Sequence, residues 1–159
     1  MVLIGVLGGC GLQDLNFLQD DRVTITSPAE RSQVELPVTV AWTVENFEVV
    51  GRDGSRRDDA GYFGLILDRP PPPPGRTQEW LVRDDLACDR DPECPNEEYL
   101  AQQGIHSTKE TALSIERIPD PNPRLDRREF HQVTIVLLNG RGERIGESAF
   151  IVEFEVKRR

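Results

Sequence analysis

Apolar and polar residues alternate with a period of two along most of this chain. Residues 37–45 are the clearest case. Val38, Val40, Trp42 and Val44 fall on one face, and Thr39, Ala41, Thr43 and Glu45 on the other. That alternation, rich in β-branched residues, predicts a half-buried strand with Trp42 in the core. Pro37 stands at its entrance, where a missing N–H is tolerated. Val23 and Ile25 alternate with Thr24 and Thr26 to predict an earlier strand, and Val34-Glu35-Leu36 a short apolar return after the turn 27–30. Residues 46–60 read as a polar loop with a tight turn at Asp53-Gly54. The next strand spans 61–68, with Phe63, Leu65 and Leu67 on one face.

The pattern resumes at 107–115, predicted as one strand with Leu113 and Ile115 inward. Residues 130–138 follow, with Val133, Ile135 and Leu137 aligned, and then a hairpin signal at 139–143. A long final strand, 145–156, aligns Phe150, Val152, Phe154 and Val156. About seven strands separated by turn signals, with almost no helix, predict an all-β antiparallel sandwich.

Residues 69–107 break that rhythm. Pro70, Pro71, Pro72, Pro73 and Pro74 cannot pair inside a sheet and favour a stiff extended rod of about 15 Å, closed by Gly75. Residues 79–82 suggest a short strand. Residues 95–103 suggest a two-turn helix, with proline and acids at its start and Gly104 as its stop. The prolines beside Tyr62 and Trp80 form the candidate interface, because rigid proline and aromatic side chains lose little entropy on docking. A stiff connection leading out of the sandwich is the plainer alternative.

Composition narrows the function. A formal net charge of −9 argues against nonspecific nucleic-acid binding, which needs a basic face. Three cysteines is an odd number. The opening residues, Met1 to Leu7 followed by Gly8-Gly9-Cys10, resemble the end of a bacterial lipoprotein signal. That resemblance implies a lipid on Cys10, residues 11–21 as a tether, and an extracytoplasmic place on a bacterial membrane, reached through the lipid anchor alone. The true start is then expected upstream, because no Lys or Arg precedes the apolar run. Export leaves Cys88 and Cys94 to close a small disulfide loop; a cytosolic chain with three free thiols is the alternative.

Ser27-Pro-Ala-Glu30, residues 36–42 (LPVTVAW), residues 65–68 (LILD) before prolines, and residues 104–107, 111–115 and 131–138 together resemble bacterial immunoglobulin-like domains of exported proteins. The resemblance covers 22–156 and implies an Ig-like β-sandwich over 22–159, with the 69–107 stretch as a disulfide-stapled insertion. Where such relatives often carry a histidine, this chain has Tyr62, Phe63 and Gly64.

Catalytic chemistry finds little support. No nucleophile elbow and no phosphate-binding glycine loop is present, and the adjacent acids Asp58-Asp59 and Asp84-Asp85 lie in polar loops. The expectation is therefore a non-enzyme without cofactor. Two weak metal possibilities stand beside it. Asp89, Asp91 and Glu93 alternate as calcium ligands can, but without an EF-hand pattern. His106 and His131 would approach each other if 107–115 paired with 130–138, yet two histidines are too few for copper or zinc. The expected function is an accessory or scaffolding subunit that docks a protein partner at the membrane surface. A binding protein for calcium, a transition metal or carbohydrate is the alternative.

Overall fold

The computed structural model describes residues 20–88, 92–119 and 130–157. Among them run nine strands: β1 (Val23–Ser27), β2 (Ser32–Val34), β3 (Val38–Val44), β4 (Glu48–Val49), β5 (Ala60–Leu67), β6 (Ile105–Thr108), β7 (Ala112–Ile115), β8 (Phe130–Leu138) and β9 (Phe150–Val156). One short helix, α1 (Glu97–Gln102), precedes β6. The fold is all-β, in two sheets.

The smaller sheet has the order β1-β3-β7. The larger runs β2-β9-β8-β5-β4, with β6 also paired to β5. Most pairs are antiparallel, but β2 lies parallel to β9 and β4 parallel to β5. The apolar faces of both sheets meet in one core. Val23, Val38, Val40, Trp42 and Ile115 come from the smaller sheet; Phe63, Leu65, Leu67, Val133, Ile135, Leu137, Val152 and Phe154 come from the larger. Trp42 meets Phe63 edge-on across the two sheets, with ring centroids 5.2 Å apart. These are the positions the period of two selects.

Several local expectations change: the short apolar return expected at 34–36 is strand β2 at Ser32–Val34, and β4 at Glu48–Val49 interrupts the loop expected over 46–60. Residues 79–82 form no strand; they belong to a 3-10 helix, Gln78–Val82. The expected strand 107–115 is two strands in different sheets: β6 pairs with β5, and β7 pairs with β3. Only β7 feeds the inter-sheet core, through Leu113 and Ile115, whereas Ile105 of β6 packs with Val82 and Leu100; residues 107–111 carry no apolar side chain to mark the crossing. The final strand begins at Phe150, since Ile145 belongs to the hairpin, where its N–H donates to the Leu137 carbonyl at 2.8 Å. The helix starts after Asn96, whose side chain accepts the Tyr99 N–H at 2.9 Å. Pro95 thus precedes the cap rather than opening the helix.

The largest difference concerns β5. One face was expected to be buried, yet all eight of its residues are. Its second face, with Tyr62 and Ile66, joins Val136 and Leu138 of β8 in a further apolar cluster against Leu81. The insertion covers that face through residues 69–104, with Leu81 against the cluster; residues 105–107, expected within the same stretch, are instead the start of β6, paired to β5 in the sheet. The unbroken apolar runs 61–67 and 135–138 carry the signal, since a strand covered on both faces loses its alternation.

Candidate interaction surface

Three sets of contacts hold the insertion on the sheet. At its start Asp68 takes a positive φ of 54° at the end of β5. Its carboxylate accepts the Gln132 N–H at 2.8 Å and lies 2.7 Å from His131 Nδ1, so the exit from β5 is clamped to β8.

The proline run is fastened next. Arg144, from the hairpin before β9, is buried and donates through Nη1 to the Pro72 carbonyl at 2.7 Å. Its Nη2 reaches the carbonyls of Glu147 and of Ser148, the latter at 3.2 Å. Burial pushes the Arg144 pKa down, and Glu147 opposes it. The backbone adds a reciprocal pair: Gly75 N–H to the Arg144 carbonyl at 2.8 Å, and Arg144 N–H to the Arg76 carbonyl at 2.9 Å. Gly75 closes the turn with a φ of 73°. The five prolines are therefore strapped to the sheet rather than led away from it. Pro72 is buried and Pro71 half-buried, while Pro70, Pro73 and Pro74 are exposed.

The third anchor is Gln78, 1% exposed. Its Nε2 donates to the His106 carbonyl at 2.9 Å, and its Oε1 accepts from Ser107 Oγ at 2.5 Å. A Cβ on Gly64 would sit 2.9 Å from Gln78 Nε2, so β5 needs glycine there for the amide to approach. From this point Leu81 packs on the β5–β8 cluster, and Val82 joins Leu100 of α1 and Ile105 of β6. A disulfide joins Cys88 and Cys94 with a Cα–Cα separation of 5.0 Å, closing a loop within the segment that connects the 3-10 helix to α1. The Tyr99 hydroxyl donates to the Asp85 carboxylate across the same loop. Burial and that hydrogen bond push the Tyr99 pKa up to about 12, and the hydrogen bond holds Asp85 below its usual range.

The candidate residues separate accordingly. Tyr62 is 3% exposed, so its ring is part of the packing under the insertion and is withdrawn from any docking surface. Burial raises its pKa, opposed by the Arg52 guanidinium, which lies over the ring 5.7 Å from its centre. Trp80 is half-buried, and the Arg83 guanidinium covers its ring at 3.7 Å. The residue the sequence missed is Leu86. It is 79% exposed, between Asp85 and the disulfide, the most exposed of the large apolar side chains described. A leucine in a polar stretch has no periodic neighbours to mark it.

The metal candidates are not assembled. Among the described residues no group of three or more His, Cys, Asp or Glu side chains is placed to hold an ion. His106 on β6 and His131 on β8 lie on strands that flank β5 on opposite edges, so the pairing that would have joined them does not occur. Burial pushes the His106 pKa down. Asp89, Asp91 and Cys10 lie outside the described residues, as do the tether up to residue 19 and the tail 158–159.

Comparison with protein-family models, curated proteins and solved structures returns no match.

Proposed function

We propose that the chain is a non-catalytic interaction module on an immunoglobulin-like β-sandwich, lipid-anchored through Cys10 outside a bacterial cytoplasm, serving as an accessory or scaffolding subunit of a membrane-surface assembly. Support for the sandwich comes from the strand order β1-β3-β7 over β2-β9-β8-β5, both sheets feeding one core, with β2 parallel to β9. The Cys88–Cys94 disulfide suits an oxidising compartment.

One observation carries the docking role. The insertion is held by Arg144, Gln78 and a disulfide, yet it presents Leu86 with 79% of its surface open to solvent. An apolar side chain on a pre-ordered loop costs little entropy to dock and can act as the anchor of a small interface. Pro73 and Pro74, exposed on the same insertion, add rigid apolar surface.

The test is mild detergent extraction of the tagged protein, followed by mass spectrometry. The wild type is expected to bring a membrane partner with it, and Leu86→Asp to lose that partner while keeping its melting temperature. A wild-type protein that emerges alone and monomeric would sink the proposal. Cys10→Ala is expected to release the protein from the membrane fraction; unchanged association would refute the anchor.

A further inference from the structure

A second surface, independent of the insertion, lies where the two sheets meet at their edges. β1 is the outer strand of the smaller sheet. The Arg22 carbonyl accepts the Glu45 N–H at 2.8 Å, so Arg22 and Thr24 turn their peptide groups toward β3. Val23 and Ile25 consequently turn theirs outward. On the larger sheet, β2 covers β9 only along Phe154, Glu155 and Val156. Just upstream, the Glu153 carbonyl accepts the Arg31 N–H at 2.7 Å, and the Glu153 N–H donates to Glu30 Oε2 at 3.2 Å. Glu153 thus faces away from β8, and so does Ile151 two residues earlier. Among the described residues no hydrogen bond reaches the outward groups of Val23, Ile25 or Ile151.

These two unpaired edges form the banks of one groove of about 620 Å³, lined by residues 23–26 on one side and 148–152 on the other. Its walls are apolar at Val23, Ile25, Phe150 and Val152, and Ile151 stands 49% exposed on the rim. Among the described residues, every charged one lining it is acidic: Asp20, Asp21 and Glu30. Arg22 answers Asp20 at 2.7 Å, while Arg31 is divided between Glu30 at 3.9 Å and Glu153 at 3.4 Å. Among the described residues two arginines therefore face four carboxylates, Asp20, Asp21, Glu30 and Glu153, which leaves an excess of negative charge along the rim.

We propose that this groove accepts an extended strand from a partner protein, one in which Lys or Arg alternates with apolar residues. Main-chain bonds to Val23, Ile25 and Ile151 would supply affinity. A strand's alternation would send its apolar side chains toward the walls and its basic ones to Asp21 and Glu30. An edge left open between two sheets is what such strand addition completes. The proposal does not rest on docking through Leu86, and the two fail separately.

The probe is a blocked synthetic peptide of alternating valine and lysine, added to the full chain, with a valine–glutamate peptide as control. Amide hydrogen exchange is followed by NMR. The lysine peptide is expected to slow exchange at Val23, Ile25 and Ile151 by about tenfold or more, with no such change from the glutamate peptide. Ile25→Pro removes an outward N–H without removing a β1–β3 bond, and is expected to abolish the effect; Leu86→Asp is expected to leave it intact. Should Ile25→Pro fail to fold, the double variant Asp21→Lys, Glu30→Lys serves in its place and is expected to reverse the peptide preference. Unchanged exchange, or equal protection by both peptides, would overturn the proposal. So would protection already present in the free chain, which would assign the groove to the chain's own upstream residues. Protection that grows with protein concentration would assign it to a second copy, with the same consequence.

Discussion

β5 buries its two faces by different means. Toward the smaller sheet it offers Phe63, Leu65 and Leu67 to a core built almost wholly of apolar side chains. Away from it, Tyr62 and Ile66 lie under the insertion, whose position depends on a buried arginine, a buried glutamine and a disulfide. The first face is held by burial, which is non-directional and roughly proportional to area. The second is held by a few directional bonds, each needing one particular partner. Burial tolerates exchange among similar residues, whereas a directional anchor does not. The insertion is thus expected to break separately from the sturdier base beneath it.

That contrast can be broken from either side. Phe63→Ala, in the inner core, is expected to have the largest effect, about 3–5 kcal/mol of global stability. Urea unfolding should shift to lower denaturant with every probe moving together. Arg144→Met keeps the stem but strips donors from the Pro72, Glu147 and Ser148 carbonyls. A loss of about 3 kcal/mol is expected, concentrated in the insertion. The chain's two tryptophans separate the layers, Trp42 in the core and Trp80 in the insertion. In a Trp42→Phe background the Trp80 fluorescence transition should precede loss of β-sheet circular dichroism; coincident transitions would show one cooperative unit.

Reduction of Cys88–Cys94 comes next. The cysteines are six residues apart, so opening the loop is expected to cost on the order of 2 kcal/mol through the unfolded-state entropy. A thiol reductant should lower the Trp80 transition and leave the core transition in place. The smallest effect is expected from pH. Burial depresses the His106 pKa below 6.5, so its neutral form is favoured in the fold. That contribution is fully present above the unfolded value and is lost as pH falls through the folded one. Stability should therefore begin to decline below about pH 6.5, above the range where the carboxylates titrate, and His106→Gln should flatten that decline.

The inner face was legible because its information is local and repeated. Val38, Val40 and Trp42 declare their shared side by spacing alone, and so do Val152 and Phe154. The outer face was only half legible. The unbroken runs in β5 and β8 announce burial on both sides but do not say what covers them. Of the proposed docking surface, the prolines were visible in the sequence, whereas the burial of Tyr62 and the exposure of Leu86 were not. Both depend on where the insertion settles.

The sequence by itself determined the strand periods and the composition of the inner core, because each is set by residue type and short spacing; the Cys88–Cys94 bond was an expectation tied to export, and the structure supplies it. Tertiary structure alone decided that β6 and β7 belong to different sheets, that Arg144 would reach a proline carbonyl 72 residues away, and that β1 and β9 would leave facing edges unpaired. A single polar side chain carries no period, and a free backbone edge carries no side-chain signature at all. Such features are defined only by what lies beside them once the chain has closed on itself.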